Sequence, residues 1–272
     1  MIDMDMQKIK SIELEMLKEF IAVCEKHTLS YFLIGGTALG AVRHGGFIPW
    51  DDDIDIGMPR DDYEKFLTVA QNNLSHGLFL QTYETDPEYL QCFAKIRNSN
   101  TTFLESSAAR LKINHGVFID IFPLDGCENY DAYAKKAKML KARITSRLNV
   151  KRSLKGKLIV LLSKLFHPSL KKAQRDLINL WKSTPYATAE CVANFGGAWG
   201  KKEVVPRAFF GKGSVGNFEG ISVRLPERVD EYLTAIYGDY MTPPPPEKQI
   251  AHHYCDAIDP EKPYTVYTQQ QN

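Results

Sequence analysis

The sequence predicts an α/β or α+β protein, on two observations. Stretches with apolar residues at helical spacing, near 7–28 and 61–74, are interspersed with short apolar runs of strand length at 31–34, 78–83, 91–98 and 116–122. Neither an internal repeat nor a long low-complexity linker divides the 272 residues, which suffice for one large domain or two small ones with an ample core.

The elements follow in order. Ile9, Ile12, Met16, Leu17, Phe20, Ile21 and Cys24 form one helical stripe, so an amphipathic helix opens the fold. Residues 31–34 read as a short buried strand. Gly35-Gly36 is a turn, and Thr37 is placed to cap a helix running to about His44, which Gly45-Gly46 ends. Phe47-Ile48-Pro49-Trp50 leads into an acidic strand. After Pro59, residues Tyr63, Phe66, Leu67, Ala70 and Leu74 mark a helix over 61–74. Of the three strand-like runs that come next, 116–122 is apolar throughout except for Asp120. Residues 130–183 read as two or three basic helices broken near Gly156 and Pro168. Gly-rich connections at 195–200 and 211–220, a hairpin around Gly220 and a helix over 227–237 complete the pattern. The tail carries Pro243–Pro246, Lys248 and the pair His252-His253.

A net charge of +1 hides an imbalance: residues 135–175 hold 14 Lys or Arg and no Asp or Glu. That asymmetry suggests a basic surface for anionic partners such as nucleotide, polyphosphate or acidic lipid headgroups. Five cysteines scattered without CxxC spacing favour reduced thiols over a disulfide framework or zinc site. The charged N-terminus lacks the apolar centre of a signal peptide, and the longest apolar run, 158–166, is interrupted by Lys164 and too short to span a bilayer. The expectation is a cytoplasmic protein, soluble or peripheral at the inner face of the membrane.

The chemistry centres on Asp51-Asp52-Asp53-Ile54-Asp55-Ile56. In an extended segment Asp53 and Asp55 share one face while the isoleucines point to a core. Two carboxylates about 7 Å apart repel unless a cation lies between them. A hard divalent ion such as Mg²⁺, or Mn²⁺ in its place, answers that repulsion and also binds phosphate oxygens. A calcium loop is excluded because Ile56 stands where glycine is needed and Asp62 where a bidentate Glu belongs. Asp120, amid Val117, Phe118, Ile119, Ile121 and Phe122, is costly to bury without a cation or hydrogen bonds and is the third candidate. Gly35, Gly36 and Thr37 open a helix, where free amides favour a phosphate. These residues point to a metal-dependent enzyme acting on a phosphorylated substrate.

The run GGTALGAVRHGGFIPWDDDIDIGM (35–58) resembles the signature of the LicD family, a branch of the DNA polymerase β-like nucleotidyltransferase superfamily that includes the fukutin-related proteins. The segments KIRN (95–98), HGVFIDIFPLD (115–125) and YGDYMTPPPPEK (237–248) are similar to it too. The resemblance implies a nucleotidyltransferase-like catalytic core over 1–129 with a mixed sheet flanked by helices. A basic helical insert over 130–185 and a C-terminal part, 186–272, packing back on the core would complete it. It implies transfer of a phospho-alcohol, phosphocholine first, from a CDP-linked donor to a sugar hydroxyl of a cell-surface glycan or teichoic-acid precursor, with release of CMP and no nucleic-acid partner. By position Asp53, Asp55 and Asp120 match the superfamily's metal carboxylates, and Gly35, Gly36 and Thr37 its phosphate-holding turn. Asp51 is placed to hydrogen-bond the loop.

Within the motif segments Arg43, Lys95 and Arg97, with Lys248 in the tail, are the candidates to hold the remaining phosphate oxygens. His44 and His115 are candidates to orient a carboxylate or bind phosphate, whereas His252-His253 suits closure of the C-terminal segment. Trp50 and Trp199 are aromatics of a core or lid, and Trp199 is the first place to seek a cage for a choline ammonium. The basic stretch is either a set of solvated helix faces or a landing surface for an acidic membrane carrying a lipid-linked acceptor. Two other functions fit the same residues: transfer of NMP from an NTP to a small hydroxylated acceptor, or metal or glycan binding without turnover.

Overall fold

A computed structural model describes residues 2–250 and 254–268; the pair His252-His253 lies outside the described residues. Ile9, Met16, Leu17, Phe20 and Cys24 fall on one helical face and are all buried, which makes one long amphipathic helix, α1 (Ile2–His27). The chain continues through β1 (Phe32–Leu33), α2 (Gly35–His44), β2 (Asp55–Pro59) and α3 (Arg60–Val69). Next come β3 (Leu78–Gln81), β4 (Ala94–Asn98), β5 (Thr102–Glu105) and β6 (Val117–Gly126). Three helices follow, α4 (Tyr130–Ile144), α5 (Leu154–Phe166) and α6 (Leu170–Trp181). The last part holds β7 (Cys191–Ala193), β8 (Val204–Pro206), β9 (Ser214–Phe218), β10 (Ile221–Leu225), α7 (Val229–Tyr237), β11 (Cys255–Asp259) and the short α8 (Thr265–Thr268).

The main sheet runs β1-β2-β6-β4-β3, with β7 on the far end of β6 and β8 beside β7. β2 and β6 pair in parallel and their neighbours pair antiparallel, so the sheet is mixed, as the α/β reading expects. All ten residues of β6 are buried, which explains why this strand reads as an unbroken apolar run. Strand alternation sends Ile54, Ile56, Ile96, Ile119 and Ile121 into a core shared with Phe20 and Phe66. Asp55, Lys95 and Asp120 therefore stand on the opposite face, side by side in register. A second core joins α4 and α6, where the Trp181 indole donates to the Tyr133 hydroxyl at 2.9 Å.

Four local expectations are corrected. Helix α2 starts at Gly35 with no side-chain cap, so Thr37 lies inside the first turn rather than ahead of it. The acidic strand begins only at Asp55; Asp53 sits in the preceding loop, although the Ile54 carbonyl already accepts from the Asp120 amide at 2.9 Å. Helix α3 stops at Val69 and continues as a 3-10 turn over Ala70–Asn72. Gly156 does not break the basic helices: the break falls between Ile144 and Leu154, and Gly156 donates its amide to the Ser153 cap. Pro168 separates α5 from α6 as its missing amide requires, and the hairpin turns at Glu219-Gly220, both at positive φ.

Candidate active site

The turn before α2 and the start of β2 are bonded together. The Ile34 amide donates to the Asp55 carbonyl at 3.1 Å, and the Asp55 amide donates to the Thr37 hydroxyl at 2.8 Å. Gly35 adopts φ +55°, and a Cβ there would lie 3.1 Å from Asp55 Oδ2. At Gly36 a Cβ would lie 2.6 Å from Asp51 Oδ2, closer than real side chains tolerate. Two carboxylates thus press against the positive end of a ten-residue helix, and glycine is what permits the approach.

Carboxylates gather around this turn. Asp55 and Asp120 are direct register partners on adjacent strands. Asp51, Asp52 and Asp53 each offer an oxygen within 4.8 Å of the others. Burial, then the charges of Asp53, Asp120 and Asp51, hold the Asp55 carboxyl well above the usual range. Burial, then Asp53 and Asp52, do the same to Glu13, which reaches the cluster from α1. Glu13 is 2% exposed and its Oε2 is buried without a hydrogen bond among the described residues. An all-oxygen donor set with this much concentrated negative charge fits a hard divalent cation such as Mg²⁺.

The expected basic residues divide. Lys95 is buried with Nζ 3.0 Å from Asp120 Oδ1 and 3.3 Å from the centre of the Phe118 ring, so it meets a carboxylate rather than open space for a phosphate. Arg97 corrects the expectation. It is 1% exposed, its Nε donates to Gln81 Oε1 at 2.8 Å, its Nη1 to the Gly116 carbonyl at 2.8 Å and its Nη2 to Glu105 at 3.0 Å. Its donors are used in holding strands together, not in binding a ligand. Arg43 is half-buried and donates to the Tyr240 carbonyl at 2.5 Å. Lys248 is exposed in the 3-10 turn Pro246–Lys248, and no described contact joins it to the carboxylates.

The histidines are structural neighbours. His115 is fully buried with Nε2 3.0 Å from the Leu111 carbonyl, and burial pulls its pKa down. His44 is exposed and meets the Trp50 ring edge-on, with centroids 6.4 Å apart. Trp50 packs on the main core. Trp199 is 48% exposed and stands edge-to-face with Tyr237, centroids 5.4 Å apart, with Lys202 over its ring.

Residue-by-residue reading missed Glu13, Glu203, Tyr232 and Tyr237. Glu13 had a signal: it falls on the buried stripe between Ile9 and Leu17, where a charge needs a reason. The other three carried none, because long-range packing brings them here. The Tyr232 hydroxyl accepts from the Gly35 amide at 3.0 Å, and the Tyr237 hydroxyl lies 3.9 Å from where a Gly35 Cβ would stand. Glu203 accepts from the Trp199 amide at 2.8 Å, and burial pushes its carboxyl from 4.5 up to about 7. The folded protein then holds that proton more tightly than the unfolded chain does. The associated stability is complete below pH 4.5 and lost as pH rises through about 7, a change of about 3 kcal/mol. Glu203→Gln is expected to flatten that decline in urea titrations at pH 5 and pH 8 with chelator present. An unchanged difference between the two pH values would remove Glu203 as its source.

The LicD/FKTN/FKRP nucleotidyltransferase domain family matches residues 28–159. The lipopolysaccharide cholinephosphotransferase LicD of Haemophilus influenzae is 34% identical over 257 residues, covering 90% of this chain and 94% of the relative. The human ribitol 5-phosphate transferase FKRP is 44% identical over 48 residues, 18% of this chain and 10% of FKRP. With similarity running nearly end to end in the first relative and the carboxylate-lined glycine turn within the family match, the chain belongs to the LicD family.

Proposed function

We propose that this protein moves phosphocholine from CDP-choline to a sugar hydroxyl of a cell-surface glycan precursor, lipopolysaccharide or teichoic acid, and releases CMP. The observation that carries the reading is the placement of Asp55 and Asp120 side by side, with Asp55 and Asp51 brought against the N-terminus of α2 where Gly35 and Gly36 allow the approach. The similarity to a lipopolysaccharide cholinephosphotransferase supports the cargo and the acceptor class.

Asp53, Asp55 and Asp120 would hold Mg²⁺, with Mn²⁺ able to serve; Asp51 and Asp52 offer oxygens within 4.8 Å of Asp53, and Glu13 adds its charge to the cluster. Such an ion would neutralise the charge that develops on the donor pyrophosphate. The residues of the chain then do the rest. The α2 amides that follow Gly35, whose own amide is held by Tyr232, would receive a phosphate oxygen at the glycine turn. The sugar oxygen forms a bond to the phosphocholine phosphorus, the bond from that phosphorus to the CMP oxygen breaks, and the hydroxyl proton passes to a carboxylate. Trp199, set against Tyr237, would offer its ring to the choline ammonium once the exposed Lys202 side chain swings off it. Trp199→Ala should raise KM for CDP-choline about tenfold while leaving CDP-glycerol, if it is turned over, unaffected.

We also read the core as a DNA polymerase β-like nucleotidyltransferase unit over 1–129, with 130–185 inserted and 186–272 returning to it. The bonds from Gly35 to Tyr232 and from Arg43 to Tyr240 support that return. A thermal-shift panel with Mg²⁺ and CTP, CMP, CDP-choline, CDP-ethanolamine, CDP-glycerol, CDP-ribitol and UDP-sugars tests the donor. A ligand at about 100 times its Kd adds about 2.7 kcal/mol. A metal-dependent shift selective for CDP-choline is the expected result. A shift with CTP alone would favour nucleotidyl transfer, and none with any nucleotide would favour binding without turnover.

A further inference from the structure

Helix α5 turns its leucines outward. Its only buried side chain is Ser163, which with the half-buried Gly156, Ile159 and Val160 forms the face toward the protein. Leu154, Leu158, Leu161, Leu162 and Leu165, at i, i+4, i+7, i+8 and i+11, are exposed by 85, 55, 65, 39 and 73%, and Phe166 by 67%. On a helical projection this is a single continuous stripe. Lys155 borders it on one side and Lys157 and Lys164 on the other, all exposed. A helix packed only against its own protein would place the leucines inward and the glycine and serine outward. Here the order is reversed, and an exposed apolar stripe of this length marks a contact surface.

Charge selects the occupant. No acidic residue lies between 135 and 175, against 14 basic ones, so a second copy docking on this face would bring like charges together. A surface that is apolar at depth and anionic at its boundary complements both features. At 13 residues α5 is about 20 Å long, and no helix among the described residues is long and apolar enough to cross a membrane.

We propose that α5 is an interfacial helix that seats the protein on an anionic phospholipid bilayer, its leucine stripe at the headgroup boundary and Lys155, Lys157 and Lys164 on the lipid phosphates. The inference rests on this face alone and stands or falls apart from the donor chemistry. The test is sedimentation of the full chain with vesicles of phosphatidylcholine alone or with about one third phosphatidylglycerol. The expected result is binding to the anionic vesicles at least tenfold tighter than to neutral ones and weakened by high salt. Leu158→Ser/Leu161→Ser/Leu165→Ser should weaken it a further tenfold without lowering Tm, since all three side chains are mostly in solvent. Lys155→Glu/Lys157→Glu/Lys164→Glu supplies the same readout if the leucine variant fails to fold. Absence of vesicle binding, equal binding to both compositions, or indifference to both variants would overturn the proposal. So would a stable dimer that the leucine variant converts to monomer.

Discussion

Asp55→Asn is expected to reduce transfer at least 10³-fold, measured as initial rates with saturating Mg²⁺ and CDP-choline. The substitution keeps the size of the side chain, the backbone pairing of β2 and the amide bond to Thr37, and removes only the charge. That charge lies among Asp53, Asp120 and Asp51, so the apo protein gains from its loss. Its Tm without metal should stay level or rise, while the stabilisation that Mg²⁺ gives the parent should shrink. Loss of activity together with a fall in apo Tm would mean that Asp55 is structural. Turnover within tenfold of the parent would remove it from the site.

Arg97→Met should have the opposite signature, a large loss of stability. The guanidinium is buried and bonded to Gln81, Gly116 and Glu105, and lies 4.4 Å over the Phe118 ring. Methionine fills part of the volume but leaves the Glu105 carboxylate and the Gly116 carbonyl without this donor. Breaking a buried pair by removing one partner costs about 3–5 kcal/mol, which urea denaturation reads directly. A loss below about 1 kcal/mol, with KM for the donor raised instead, would restore Arg97 as a phosphate ligand.

The difference between these two residues shows what the sequence makes legible. The strand position of Asp55 is legible because its period-two alternation with Ile54 and Ile56 reports strand geometry. The course of α1, β6 and the Gly220 hairpin was readable for the same reason: periodicity and turn chemistry act over a few residues. The burial of Arg97 is not legible because its place in KIRN says nothing about Gln81, Gly116 or Glu105, which meet it only once β3, β4, β5 and β6 have assembled. Glu203, Tyr232 and Tyr237 are the converse case. Tyr232 bonds Gly35 from 197 residues away, and the charge of Glu203 is felt at Asp55, through proximity that carries no local pattern. The outward leucines of α5 were equally hidden, since an apolar stripe looks the same in sequence whether it faces a core or solvent.

Metal-dependent phosphocholine transfer by carboxylates around a glycine turn is checked by identifying the nucleotide released when the protein is incubated with CDP-choline, a lipopolysaccharide or teichoic-acid acceptor and Mg²⁺. The expected result is CMP in amounts equal to phosphocholine on the acceptor, abolished by chelator and by Asp55→Asn. Transfer that persists in chelator, or pyrophosphate released from an NTP in place of CMP, would contradict it.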